Sequence, residues 1–270
     1  MARIFLSCWF AIAALHAFAQ PLPVELFFQR PTYSHPRISP DGKHVGFIVR
    51  GPKHDGLGVI DVETKTARPL TNFADADVIE FHWVNNHRLA MNTADIRVDY
   101  ANAELFGWYA VNVDGSHLQE IGPPRPDSSK FAGFVARTFI RFLDRYPGES
   151  EDIIIEARTP EFLGRQRLED RVSVWRWNTM EGRRVEDLGG AELYGARQWV
   201  LDRRGVLRIA RTYKEGRQKV WYRPDAATPW RILEDAEETK VTFYPRAFDF
   251  DNETFYVAAY GDSDKLAIHK

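Results

Sequence analysis

From residue 36 onward the apolar residues come in short runs, some alternating with polar residues and some unbroken, and each run is stopped by Asp, Asn, Gly or Pro. In Arg171 to Trp177, alternation puts Val172, Val174 and Arg176 on one face and Ser173, Trp175 and Trp177 on the other. Ile153 to Ile155 is apolar without a break, the pattern of a strand buried on both faces. Helical stripes of useful length are absent after the first twenty residues. The pattern predicts strands throughout.

The strands recur as a four-part unit. In the first, Pro36 to Ser39 is followed by a tight turn at Pro40-Asp41-Gly42-Lys43, then by His44 to Val49, Leu57 to Val62 and Ala67 to Thr71. The second reads Val78 to Val84, a turn at Asn85-Asn86-His87, Arg88 to Thr93, Gly107 to Val113 and Leu118 to Ile121. The third reads Thr138 to Leu143, Asp152 to Ala157, Arg171 to Trp177 and Arg184 to Leu188. The fourth reads Arg197 to Leu201, Val206 to Thr212, Lys219 to Tyr222 and Trp230 to Leu233. A fifth begins with Pro245 to Phe250, Thr254 to Tyr260 and Lys265 to Lys270.

The first strands centre near Ile38, Phe81, Ile140, Trp199 and Phe248, at spacings of 43, 59, 59 and 49 residues. These bracket the ~40–50 residues of known four-stranded propeller blades. A β-sandwich also offers short strands and turns, but recurrence of the whole cycle favours an all-β propeller of four-stranded antiparallel blades, about four and a half of them. On this reading residues 1–19 are a signal peptide, 20–35 a lead-in and 36–270 an incomplete β-propeller, truncated within the fifth blade. An open propeller exposes apolar faces and a strand edge, so self-association through the blade edges is expected.

The N-terminus differs in kind. Arg3 precedes an apolar stretch from Ile4 to Leu15, then Ala17-Phe18-Ala19. This is the charge, apolar run and A-x-A order of a secretory signal cut after Ala19; it falls short of the ~20 apolar residues of a membrane span. Export to the periplasm or medium follows. Cleavage removes Cys8, the sole cysteine, and shifts the formal charge from −2 to −3. Disulfides are therefore excluded. Aromatic residues make up 13% of the chain, which suits pleated sheets.

No residue group announces chemistry. A nucleophile elbow needs G-x-S-x-G; Gly148-Glu149-Ser150-Glu151 and Gly261-Asp262-Ser263-Asp264 lack the second glycine. His82 and His87 straddle a turn, and His35, His44 and His54 scatter over loops and strand ends, short of the three ligands a catalytic zinc needs. Asp249-x-Asp251-x-Glu253 begins like a calcium loop, but Thr254 and Tyr260 stand where glycine and glutamate belong. Arg165-Gln166-Arg167 and Arg203-Arg204 are interrupted by acids and read as solvated loops, so no nucleic-acid partner is expected. Catalytic, metal and cofactor residues are accordingly assigned as none.

Ile38-Ser39-Pro40-Asp41-Gly42-Lys43-His44-Val45-Gly46-Phe47 resembles the S-P-D-G-K-x-hydrophobic repeat of propellers in prolyl oligopeptidase-like peptidases and in Tol-associated periplasmic proteins. Trp83-Val84-Asn85-Asn86-His87-Arg88-Leu89 is similar to the second-blade signature of bacterial dipeptidyl and acylaminoacyl peptidases. The lead-in Leu26-Phe27-Phe28-Gln29-Arg30-Pro31 fits the same group, and the resemblance covers residues 24–270. It implies a propeller that admits only peptides or small esters to a serine hydrolase domain lying C-terminal to this chain, with serine, aspartate and histidine all in that domain. Some relatives hold a substrate's amino terminus with propeller glutamates or arginines; no motif assigns such a role here. A stand-alone periplasmic propeller of the Tol-associated type, binding a protein or glycan, is the alternative.

Overall fold

The computed structural model describes residues 29–97, 105–122, 139–163, 166–167, 170–260 and 264–270. The predicted signal peptide and most of the lead-in, with Ser263, lie outside them. The chain divides into two compact units, Met1–Thr32 and Tyr33–Lys270, and every described strand belongs to the second. Among the described residues no helix is long and apolar enough to cross a membrane.

Among the described residues nineteen strands form five antiparallel sheets, taken strictly in chain order. The first holds β1 (Tyr33–Ile38), β2 (His44–Val49), β3 (Gly56–Asp61) and β4 (Ala67–Pro69). The second holds β5 (Asp77–Trp83), β6 (Arg88–Ala94), β7 (Leu105–Asn112) and β8 (Gln119–Glu120). The third joins β9 (Phe139–Arg145), β10 (Asp152–Thr159), β13 (Arg171–Asn178) and β14 (Arg183–Gly189). The fourth joins β15 (Ala196–Leu201), β16 (Leu207–Lys214), β17 (Arg217–Tyr222) and β18 (Arg231–Asp235). The fifth has three strands, β19 (Phe243–Phe248), β20 (Phe255–Tyr260) and β21 (Leu266–His269).

Three features escaped the sequence pattern. β1 starts at Tyr33 rather than Pro36, because His35 takes a left-handed conformation (φ 54°) and a bulge carries the pairing across Pro36. A hairpin of β11 (Phe162–Leu163) and β12 (Gln166–Arg167) sits between β10 and β13. One helical turn, α1 (Ala236–Thr239), is capped by Asp235, which accepts the Glu237 amide, and closed by left-handed Lys240.

A shared device closes the first hairpin of every sheet. A side-chain oxygen of Asp41, Asn85, Ser150, Asp202 or Asp251 accepts the amide two residues on, at 2.9–3.1 Å. These are Asx- and Ser-type turns, and they mark the reversal in each repeat.

The core is divided into seams between successive sheets. Leu57, Val59, Phe81, Leu89 and Met91 fill the first; Ala90, Trp108, Ile153, Ile155 and Trp177 fill the second. Ile154, Val172, Val174, Trp199 and Leu207 fill the third; Val200, Ile209, Val220 and Phe248 the fourth. Alternate residues of one strand therefore serve opposite seams, which is why Ile153 to Ile155 is apolar throughout. Buried polar bonds cross the same seams. Arg88, wholly inaccessible, donates to Thr179 Oγ1 and Thr179 O at 2.9 Å each and to Asn112 Oδ1 at 2.7 Å. Burial lowers its pKa, and Glu151, 3.8 Å away, works against that shift.

Candidate functional site

The first strands of successive sheets come together. β1 lies against β5 and β15 against β19. Trp83 Nε1 donates to Arg37 O at 2.9 Å, and the His82 ring stacks on Phe142 at 3.8 Å, joining β5 to β9. Gln198 Nε2 donates to Pro245 O, joining β15 to β19. These first strands also carry charged side chains. Arg37 Nη1 donates to His82 Nδ1 at 3.3 Å, and the neighbouring His82 holds the Glu80 carboxyl below its usual range.

Between β9, β15, β19 and the turns that follow them lies an open cavity of 610 Å³. Its walls combine Phe142, Trp199, Phe248 and Phe250 with the charged residues Arg141, Asp144, Arg145, Asp202, Arg203 and Arg246. Local irregularities aim these groups. Pairing slips at Leu143 in β9, opposite Arg208 in the β15–β16 hairpin, and at Arg246 in β19. A bulge of this kind bends the strand and redirects a side chain. The Asx turn at Asp202 places Arg203 at a hairpin tip.

The charges are unevenly committed. Asp202 is buried; it accepts the Arg204 and Val206 amides through Oδ1 and Arg208 Nη1 through Oδ2, at 3.2 Å. Arg141 Nη2 reaches Glu156 Oε2 at 2.7 Å. Arg203 uses Nε on Phe248 O at 3.1 Å and lays its guanidinium over the Phe250 ring at 4.7 Å. Arg145 and Arg246 are exposed, and among the described residues neither guanidinium has an ion-pair or hydrogen-bond partner. Asp144 keeps access to the cavity, yet the protein around it displaces enough water to raise its pKa. Arg145 and Arg203 only partly offset this.

The groups weighed from the sequence take other places. Ser150 serves its turn: its carbonyl accepts Asn85 Nδ2 at 3.1 Å and its hydroxyl accepts the Asp152 amide. His82 stacks on Phe142, whereas His87 pairs with Glu151 at 2.7 Å. His44 lies 3.8 Å from Asp61, His54 3.3 Å from Asp77, and His35 beside Ser34. Asp249 and Asp251 accept backbone amides of their own hairpin, as a polar hairpin tip would. Among the described residues no group of three or more His, Cys, Asp or Glu is placed to hold a metal.

The cavity arginines carried no sequence motif. A faint signal existed: Arg141, Arg145, Arg203 and Arg246 all fall in the first strand of a repeat or in the turn after it.

No protein-family model and no curated protein matches the sequence. Solved structures do. The β-propeller domain of the Trilobed protease from Pyrococcus furiosus is similar over 88% of this chain and 67% of its own, at 13% identity and a TM-score of 0.54. A Pyrococcus horikoshii acylaminoacyl peptidase is similar over 88% of this chain and 37% of its own, at 14% identity and a TM-score of 0.50. An oligogalacturonate lyase in complex with manganese is similar over 89% of this chain and 65% of its own, at 8% identity and a TM-score of 0.52. At such identities the likeness speaks to fold, and it agrees with the sheet order and seams: the described residues from Tyr33 to Lys270 form β-propeller blades of the kind found in the Trilobed protease and in acylaminoacyl peptidases of the prolyl oligopeptidase family.

Proposed function

We propose that this chain is the substrate-gating propeller portion of an exported, prolyl oligopeptidase-like serine peptidase whose nucleophile lies in a separate hydrolase domain. One observation carries the reading. The chain matches, over 88% of its length in each case, both a protease's propeller domain and an acylaminoacyl peptidase of which it spans 37%. The S-P-D-G-K turn at Ser39 to Lys43 and the Trp83 to Leu89 segment add to it. A propeller contributes by restricting what reaches the serine, so the groups on the first strands of its sheets would select substrates rather than react with them. Export rests on the leader ending at Ala19.

The test is made on the native gene product. A fluorophosphonate probe applied to the source cells, followed by capture with an antibody to residues 33–270, is expected to recover a labelled serine in the same polypeptide. N-terminal sequencing is expected to begin at Gln20. An unlabelled polypeptide whose reading frame closes after codon 270 would overturn the peptidase reading and leave a binding module.

A further inference from the structure

Three guanidinium groups in the 610 Å³ cavity, Arg145, Arg203 and Arg246, have no ion pair or hydrogen bond to a carboxylate among the described residues; the one cavity carboxylate that Arg145 and Arg203 influence at a distance is Asp144, so three cations face one uncommitted acid. Both Asp202 and Arg141 are satisfied by groups outside the lining, Arg208 and Glu156. The chain as a whole is slightly acidic, with a formal charge of −2, so this surplus is local. Cations held close in a concave wall repel one another, and folding keeps them there only at a cost. An anionic ligand removes that cost.

The shape of the surplus narrows the ligand. Guanidinium groups present planar paired donors that match a carboxylate in two-point fashion. Phe142, Trp199 and Phe248 share the lining with the arginines, so an occupant with apolar parts next to its charge fits better than a bare ion. Asp144 opposes a doubly charged anion but can accept an amide N–H.

We propose that this cavity binds a peptide carboxylate, held between Arg145 and Arg246 with Arg203 as the third donor. The inference rests on the gating reading for its choice of peptide, and it gives that gate a preference for acidic peptides. The carboxylate could come from an Asp or Glu side chain or from a peptide C-terminus, which share this chemistry.

Calorimetric titration of the full-length chain tests it with three peptides: Ac-Ala-Phe-Ala-Glu-NH2, Ac-Ala-Phe-Ala-Gln-NH2 and Ac-Ala-Phe-Ala-Gln-OH. The first or third is expected to bind at least about tenfold tighter than the second, and which one does so identifies the source of the carboxylate. Arg145→Gln and Arg246→Gln are each expected to weaken that binding about 5- to 30-fold, and added salt to weaken it further. Both side chains are exposed and make no ion pair or hydrogen bond among the described residues, so the melting temperature is expected to hold. Equal binding of all three peptides, unchanged affinity in both variants, or binding of inorganic phosphate or an oligouronate in place of the peptides would overturn the proposal. Its failure is separable from that of the gate: a labelled serine with no carboxylate preference sinks only this site, and carboxylate binding without a labelled serine sinks only the gate.

Discussion

Trp199 Nε1 donates to Glu156 Oε2 at 2.9 Å across the seam between the third and fourth sheets, joining an indole on β15 to a carboxylate on β10. Glu156 is almost fully buried and also takes Arg141 on Oε2 and Arg158 on Oε1, at 2.7 and 3.1 Å. Trp199→Phe keeps the ring's packing and deletes one bond to a charged acceptor, which costs about 2 kcal/mol. Glu156→Leu strands the indole N–H and unpairs Arg141, while Arg158 keeps Asp170 at 3.8 Å, and is expected to cost more, roughly 3 kcal/mol. Urea midpoints of the two variants check both the size and the order.

Gly46 tests how closely the first two sheets approach. A Cβ there would stand 2.7 Å from the Phe81 ring and 3.2 Å from Leu89, both buried. Neither can swing into solvent, so even Gly46→Ala must wedge the seam apart, at about 1–3 kcal/mol. The same substitution at Gly115, where nothing lies near, meets only the strain of its positive φ (86°). A smaller drop in melting temperature at Gly46 than at Gly115 would contradict this packing.

Much of the blade plan could be read from the chain because it is written locally. The turn acceptors Asp41, Asn85, Asp202 and Asp251 sit beside their strands, and alternation in β13 sends Val174 to one seam and Trp177 to the other. Features made by irregular pairing could not be read. His35 adopts a left-handed conformation no alternation rule anticipates, so β1 runs further back than Pro36 suggests. The cavity is harder still: Arg145 and Arg246 are far apart in sequence and converge only through the bulges of β9 and β19 and the packing of three sheets.

Two carboxylates pull the pH dependence in opposite directions. Asp251 drops from 3.8 to about 2, because the Glu253 amide and the Thr254 hydroxyl and amide all donate to it. A depressed carboxyl adds stability that is complete above the unfolded value and fades as pH falls through the folded one. The stability gap between the wild type and Asp251→Ala is therefore expected to be full above pH 3.8 and to shrink toward pH 2. Asp144, raised by desolvation, subtracts stability once ionised. Asp144→Asn is expected to raise the melting temperature at neutral pH, with the gain vanishing in acid. Melts across the acid range decide both signs.

Produced by itself, the 270-residue chain is expected to self-associate through the outer strand of the fifth sheet. Among the described residues β21 pairs only with β20, and all four of its residues are exposed, Leu266 at 45% and Ile268 at 63%. An apolar strand with an open edge invites a second copy. Light scattering is expected to show concentration-dependent oligomers of the 270-residue chain, and Ile268→Lys to shift them toward monomer. Identical masses for the two proteins would remove β21 from any interface.

Arg88 gives the sharpest stability test, because its role depends on shape as well as charge. No part of it reaches solvent, and its guanidinium spans from Asn112 in the second sheet to Thr179 beyond β13 in the third. Three donors are used at fixed angles, a geometry lysine cannot supply. Arg88→Lys keeps the charge but buries it with fewer bonds, while Arg88→Met removes the charge and fills part of the volume. Although burial lowers the pKa of Arg88, an arginine stays protonated at any working pH, so proton loss offers no relief. Both variants are expected to lose about 3 kcal/mol or more, with lysine no better than methionine. Hydrogen exchange is expected to localise the loss to the seam between the second and third sheets. If Arg88→Lys melts like the wild type, charge alone suffices there, and the directional bonding of Arg88 across the seam is not what holds those two sheets together.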